Sequence, residues 1–332
     1  MTMKKLINAP ENLVQELLEG FALAHAGKVT LSDSRLVLRA SEKAQDKVAV
    51  VTLGGSGHEP AHAGFVGKGM LDAAVCGDVF ASPSVIQVFN AIKHNHSEQG
   101  VLLVIKNYSG DVMNFESAAA MAEDYDIRVD SVCVNDDISI EKKEDRRGVA
   151  GTIFVHKIAG ALAERGASLR QVKEIAQRVI DNVRTMGIAL TSCIVPARGK
   201  PTFDLEEDKI EVGVGIHGEA GIFRDRLLSA KETAELIIER ILGELSVSKE
   251  EEVAVLINGF GGTPLQELFI LNNEVASILN SKGIAVAKTL VGNYMTSIDM
   301  EGGSISVLKL DEQMKRLLSA PCETAAWKET EA

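Results

Sequence analysis

The stretch "VAVVTLGGSGHEPAHAG" spans residues 48–64, and how it is read decides the fold. Its apolar run closes at Leu53, and three glycines and a serine follow at once, ahead of His58 and Glu59. A short run of aliphatic, mostly β-branched residues is the pattern of a strand covered on both faces. Clustered glycines free the backbone for φ > 0 and let N–H groups come close to a ligand. In α/β sheets, ligands sit where strands end in such turns. A phosphate cradle, a tight turn and a small-molecule site all begin this way. No Gly-Lys-Ser/Thr follows as in a Walker A loop, and the glycine spacing is not G-x-G-x-x-G. "HEPAH" (58–62) spells H-E-x-x-H, but that motif binds zinc only within a helix. Pro60 and the glycines on either side predict no continuous helix there.

Further apolar runs read as strands at 71–76, 101–105, 128–134, 187–194, 210–216, 253–258, 283–290 and 304–310. Amphipathic patterns between them predict helices over 11–24, 84–95, 114–124, 152–165, 168–184, 229–243, 264–281 and 311–319. This alternation predicts an α/β architecture with parallel or mixed β-sheets flanked by helices. A chain of 332 residues favours two domains. The pattern breaks at "PARGKPTFDLEEDKI" (196–210), which carries two prolines and a run of charges. The predicted division is an N-terminal α/β domain at 1–195 and a C-terminal α/β domain at 196–332.

With 45% hydrophobic residues and only 4% aromatic, the chain can build a large aliphatic core. Forty-seven acidic residues against 35 basic ones give a net charge of -12, and no basic stripe interrupts them, so nucleic acid is not an expected partner. No apolar run approaches the roughly 20 residues that span a bilayer. The N-terminus "MTMKKLINAPENLVQELLEG" has no apolar centre of the kind a signal peptide carries. The expected location is cytoplasmic, with no membrane contact. Four scattered cysteines form no C-x-x-C pair; Cys76, Cys133 and Cys193 lie in apolar runs and read as buried thiols of a reducing compartment.

Three turns carry the candidate chemistry. The first is 54–64 itself, with His58 and Glu59. The second, "VIKNYSGDVMNFESA" (104–118), is again a strand, a polar turn and a helix, and it gathers Lys106, Asn107, Ser109 and Asp111. Asp111 is either the cap of that helix or a base; an Asp and a His facing one small polar ligand suit acid–base work. In the third, "EVGVGIHGEAGI" (211–222), Gly215 and Gly218 leave the His217 imidazole approachable as base, metal ligand or nucleophile. A fourth turn, "INGFGGTPLQEL" (257–268), is structural: Thr263 and Pro264 fit an N-cap and first helical position. His94 and His96 read as surface, and His25, His62 and His156 as structural. No histidine pair comes with a third ligand, so no metal is expected on this chain.

Four segments taken together, "GGSGHEPAHAGFVGKGMLDAAVCGDVFASPS", "LLVIKNYSGDVMNFE", "RRGVAGTIFVHKIAGA" and "GVGIHGEAGI", closely resemble the dihydroxyacetone kinase family, in particular its substrate-binding K subunit. The resemblance runs from about residue 5 to about residue 320, and "NGFGGTP" and "NYMTSIDMEGGSISVLKLDE" follow in the family's order, "EGG" (301–303) being less typical. It implies that His217 binds dihydroxyacetone covalently, its ring nitrogen adding to the ketone carbon to give a hemiaminal. It implies that Asp111 takes the proton of the attacking hydroxyl and that His58 hydrogen-bonds the bound substrate. Gly55, Ser56, Gly57 and Lys106 fall on the remaining substrate contacts. The sequence stops at "AWKETEA", so ADP or ATP and magnesium are expected on a separate L subunit. A phosphoenolpyruvate-dependent phosphotransferase-system protein is expected to recharge that subunit, and the chain is expected to be a homodimer. The resemblance also carries two alternatives. One is a dihydroxyacetone-sensing co-activator of a transcription factor, and the other a kinase subunit for a related short ketose such as erythrulose.

Overall fold

A computed structural model describes residues 4–32, 35–41 and 47–330. The first three residues of the lysine-bearing N-terminus and the last two of "AWKETEA" lie outside the described residues. In chain order the elements begin with α1 (Leu13–Ala24), β1 (Val29–Ser32), β2 (Leu36–Arg39), β3 (Ala49–Ser56), β4 (Gly67–Lys68) and β5 (Ala73–Val79). Then come α2 (Val85–Asn95), β6 (Val101–Lys106), α3 (Ser109–Glu123), β7 (Val129–Val134), α4 (Thr152–Glu164) and α5 (Leu169–Asn182). The chain continues through β8 (Val183–Ala189), β9 (Lys209–Val212), β10 (Phe223–Arg226), α6 (Ala230–Glu244), β11 (Glu252–Gly259) and α7 (Leu265–Ser281). It closes with β12 (Ala285–Gly292), β13 (Gly302–Leu310), α8 (Glu312–Leu318), β14 (Cys322–Thr324) and β15 (Lys328–Glu329).

These elements form two compact units, neither continuous in sequence. The first comprises Lys5–Val134, Ile153–Val179 and Arg316–Ala332. The second comprises Asn135–Thr152 and Ile180–Lys315, with Lys4. The single boundary expected after residue 195 is therefore corrected: the chain leaves the first unit at Val134, returns at Ile153 and leaves again after Val179. The composition shift at 196–210 is a surface excursion inside the second unit. Proline, glycine and charge mark exposure to water, and a loop within a domain is as exposed as a linker.

The first unit is built on a mixed sheet in the order β1-β2-β5-β3-β6-β7. Strands β5, β3, β6 and β7 run parallel, and the β1–β2 hairpin, unforeseen in the sequence, adds antiparallel to β5. Val48 through Leu53 and Val101 through Val104 are at most 1% exposed, as a parallel sheet covered on both faces requires. Each valine and leucine among them contributes roughly 1.5–3 kcal/mol by leaving water. The odd-numbered residues of β3 and β6 pack with Val88, Phe89 and Ile92 of α2 and Ala118 and Ala122 of α3. Helix α2 starts where it does because Ser84 and Gln87 form a capping box. From β3 the chain passes to β5 on one side and then to β6 on the other. The loops after β3 and β6 therefore open at a topological switch point, where such sheets bind ligands.

The second unit holds a sheet in the order β10-β9-β8-β13-β11-β12, in which β11 and β12 alone run parallel. Its core joins Ile237, Ile238 and Ile241 of α6 and Leu268, Val275 and Leu279 of α7 to Val253, Val255, Ile257, Ile305 and Val307. Strand β8 begins at Val183, directly after α5, instead of spanning the expected 187–194. Arg184 and Thr185 hide it from an apolar pattern, yet Thr185 is 1% exposed, its Oγ1 donating to Asp136 Oδ2 (2.5 Å) and lying 2.7 Å from Ser306 Oγ. Thr263 does not cap α7, whose N-cap is Pro264; its hydroxyl instead bonds both the N–H and the C=O of Gly302, each at 2.6 Å. Among the described residues no helix is long and apolar enough to cross a membrane.

Candidate functional site

In the first unit, Gly54, Gly55 and Ser56 are still part of β3, fully buried, with Ser56 Oγ donating to Gly77 O (2.8 Å). Two of these glycines are needed for close approach. A Cβ at Gly54 would stand 2.6 Å from Lys106 Nζ and 3.2 Å from His62 Nε2; one at Gly55 would stand 2.7 Å from the Ala81 backbone nitrogen. Gly57 then turns the chain at φ +97°, and its N–H donates to Glu59 Oε1 (3.1 Å). Burial raises the Glu59 carboxyl, against hydrogen bonds that lower it. Residues 58–62 form turns and no α-helix, so His58 and His62 do not share the helical face that a zinc H-E-x-x-H requires. His58 is fully buried, stacked on Phe80 with ring centroids 5.2 Å apart.

The neighbouring loop leaves β6 at Lys106, which is 0% exposed. Its ammonium lies 3.5 Å from Asp111 Oδ2 and 5.7 Å from the centre of the Tyr108 ring. Asp111, 3% exposed, is the third residue of α3, whose N-cap is Tyr108, so the capping role is not the one it fills. Here its charge gains from the helix macrodipole. Its other oxygen accepts a hydrogen bond from Ser82 Oγ, a partner the sequence reading missed. "ASPS" (81–84) reads only as the entry to α2, and nothing in it points to Asp111.

Behind these groups lie two further buried histidines. His62 Nδ1 and His156 Nε2 are 3.1 Å apart, with rings edge to face. Burial first, and then the Lys106 charge, push His62 well below its ordinary range and His156 down to about 3. Both rings are therefore neutral. A cavity of about 330 Å³ adjoins His62, lined by Leu17, Leu18 and Phe21 of α1 and by Gly54, Gly55 and Cys76. Burial raises the Cys76 thiol to about 12, so it is inert at neutral pH. Cys133, expected to be buried, is exposed: it lies on β7, the edge of its sheet. Among the described residues no group of three His, Cys, Asp or Glu has metal-binding geometry.

In the second unit, His217 follows β9 on an irregular loop and is half-buried. Its backbone N–H donates to Glu219 Oε2 (2.7 Å), and Glu219 Oε1 accepts from Arg147 Nη1 (3.1 Å). Arg147 is itself fixed: Nε donates to Asp137 Oδ2 (2.8 Å), and Nη2 to Ser139 Oγ and the Gly213 carbonyl (both 2.9 Å). A Cβ at Gly215 would strike Glu219 at 1.8 Å, and Gly218 holds φ +69° with Cys193 Sγ 2.5 Å from its Cβ position. The glycines beside His217 thus admit a carboxylate clamp and a left-handed turn. Sequence spacing gave no sign of Arg147 or Glu219 as partners, 72 residues apart.

Structure thus groups Gly55, Ser56, Gly57, His58, Lys106 and Asp111 at adjacent strand ends of the first unit, and holds His217 on a braced loop of the second. A Dak1 domain model matches residues 19–326. The chain is 47% identical over 329 residues to the PTS-dependent dihydroxyacetone kinase 1, dihydroxyacetone-binding subunit DhaK, of Listeria innocua, covering 98% of this chain and 100% of the relative. The solved dihydroxyacetone kinase of C. freundii superposes with a TM-score of 0.92 at 38% identity, over 99% of this chain and 61% of that one. The dihydroxyacetone kinase operon co-activator Dha-DhaQ matches with a TM-score of 0.90 at 33% identity, over 95% of this chain and 98% of that one. The folded core, the ordered motifs and the end-to-end match agree: the chain belongs to the dihydroxyacetone kinase family, as a protein of its K-subunit type.

Proposed function

We propose that this chain binds dihydroxyacetone and delivers one of its hydroxyls to a phosphoryl group, making dihydroxyacetone phosphate. The observation that carries this reading is the ion pair of Lys106 and Asp111, buried at the ends of β3 and β6 where a ligand belongs. A buried charged pair with an unfilled hydrogen-bonding capacity is costly for stability alone and is expected at a functional site.

His217 is assigned the covalent step. A ring nitrogen of the neutral imidazole adds its lone pair to the ketone carbon, the carbonyl oxygen takes up a proton, and the other ring nitrogen releases one. The product is a neutral hemiaminal. Glycerol offers the same hydroxyls without a carbonyl and cannot be held in this way. His58 is assigned a hydrogen bond to the bound substrate. Gly55, Ser56 and Gly57 supply backbone and hydroxyl contacts, and Lys106 a cationic one. Asp111 is the base that receives the proton of the attacking hydroxyl. The phosphoryl donor, ADP or ATP with magnesium, is assigned to a separate L subunit, recharged from phosphoenolpyruvate through a phosphotransferase-system protein. A homodimer in the cytoplasm is the proposed working form.

The test combines the purified chain with an L subunit, the phosphotransferase components and phosphoenolpyruvate, offered dihydroxyacetone, erythrulose or glyceraldehyde. Transfer to dihydroxyacetone is expected, and the other two define ketose specificity. No transfer to any of them sinks the enzyme reading. Covalent capture is checked separately: His217→Ala is expected to lose tight retention of dihydroxyacetone, and unchanged binding would remove that role. The likeness to an operon co-activator keeps a sensing role as the second reading. It would be favoured if the ligand binds and no phosphoryl group is transferred.

A further inference from the structure

The two neutral histidines behind Lys106 are left over once the proposed chemistry is assigned. His62 is 5% exposed and His156 0%, and their contact uses one nitrogen of each ring. The remaining nitrogens, His62 Nε2 and His156 Nδ1, are buried and meet no hydrogen-bond partner among the described residues. Neither does the Lys106 ammonium, whose partner is the Asp111 carboxylate at 3.5 Å. His62 Nε2 and Lys106 Nζ both crowd the same point, 3.2 and 2.6 Å from where a Cβ at residue 54 would stand. The ring edge and the cation therefore both face the space over Gly54, with no hydrogen bond between them.

Two neutral rings share one proton across the 3.1 Å contact, which leaves two tautomer pairs. If His156 Nε2 donates, His62 keeps its proton on Nε2 and turns a positive N–H dipole toward the ammonium. If His62 Nδ1 donates, Nε2 keeps a lone pair toward the ammonium, and His156 carries its proton on Nδ1. In a dry site the Coulomb term favours the second arrangement.

We propose that His62, held by His156 with its proton on Nδ1, is a positioning residue for Lys106, its Nε2 lone pair steadying the ammonium over Gly54. The ammonium then keeps its N–H groups aimed at Asp111 and at the substrate hydroxyl. This rests on the reading of Lys106 as a substrate contact given above. His58, the other titratable group acting on His62, adds a smaller contribution of the same sign as Lys106.

Two measurements test it. Long-range ¹H–¹⁵N NMR of the whole chain, without substrate or partner, reads the tautomer directly. A protonated Nδ1 and a bare Nε2 are expected at His62, with the Nε2 resonance moving in Lys106→Met. A proton on Nε2, or no response to Lys106→Met, overturns the proposal. In the coupled kinase assay, His62→Phe keeps a ring and removes the lone pair; kcat is expected to fall on the order of three- to tenfold, the scale of a lost charge–dipole attraction, with less change in KM. His62→Gln, whose carbonyl oxygen reaches a similar place, is expected to recover part of the rate. Unchanged kcat in the Phe variant, or no recovery in the Gln variant, counts against the role. If wild type transfers nothing, the functional reading fails while the spectrum still decides the tautomer.

Discussion

The loops of the two units place candidate groups in opposite ways. In the first unit, Lys106 Nζ and His62 Nε2 are buried with no hydrogen-bond partner among the described residues, the ammonium being paired only with Asp111 at 3.5 Å. In the second, His217 is half-exposed, while the Glu219–Arg147–Asp137 chain that braces its loop is fully bonded. Buried polar groups without partners cost free energy that a bound ligand or an ordered water offsets, which is the condition expected of a binding region. The braced loop instead fixes a backbone and leaves one ring approachable. One region supplies a dry charge pair, the other an approachable imidazole on a braced loop.

The most severe way to break this contrast is Asp111→Asn. Turnover is expected to fall on the order of 10²- to 10⁴-fold, with dihydroxyacetone binding retained, because the amide keeps the shape of the proposed proton acceptor but takes no proton and leaves Lys106 without its ion-pair partner. Single-turnover transfer and calorimetric binding on the same variant check it; wild-type turnover would remove Asp111 as the base. Next comes the brace. Arg147→Ala leaves Asp137, 1% exposed, as an uncompensated buried carboxylate and is expected to cost about 3 kcal/mol in denaturant unfolding. A loss below 1 kcal/mol would show that solvent already screens the pair.

The units are also expected to answer acid with opposite signs. His156 in the first unit has a folded pKa of about 3, below its unfolded value, so its contribution is present above pH 6.5 and lost as pH falls. Asp136 in the second is raised by burial to about 6, above its unfolded value, so its contribution is present in acid and lost as pH rises through about 6. The stability of wild type relative to His156→Gln should therefore fall by about 3 kcal/mol between pH 7 and pH 4. Relative to Asp136→Asn it should rise over the same range. Chemical denaturation at five pH values reads both, and slopes of equal sign would refute the contrast. The smallest effect sharpens the first region alone. Gly54→Ala puts a methyl group 2.6 Å from Lys106 Nζ, the movable end of a long side chain. Activity is expected to fall roughly tenfold, the scale of one charged hydrogen bond, with little change in melting temperature.

Much of the candidate site was legible because strand ends and glycine turns are local. The runs 48–53 and 101–105 became β3 and β6, and Lys106 and Asp111 stand where the polar turn placed them. Asp111 was ambiguous between cap and base, since a sequence does not show that α3 starts two residues earlier, at Ser109. Strand β8 was displaced because a buried polar pair, Thr185 with Asp136, looks like a surface in an apolar pattern. The β1–β2 hairpin is short and partly polar, and its hydrogen bonds come from pairing that the strands' own residues do not announce.

By itself the sequence determined the α/β class with parallel or mixed sheets, the glycine turns that end their strands and the family to which those turns belong. These follow from side-chain branching, two-residue and 3.6-residue periodicity and backbone freedom, all properties of neighbours along the chain. Tertiary structure alone decided that each unit is assembled from separated stretches of the chain, that Ser82 meets Asp111, that Arg147 reaches Glu219 and that His156 pairs with His62. The His62–His156 contact joins residues 94 positions apart and the Arg147–Glu219 pair residues 72 apart. Contacts of that kind arise from packing, where the cost of leaving a buried polar group alone selects its partner.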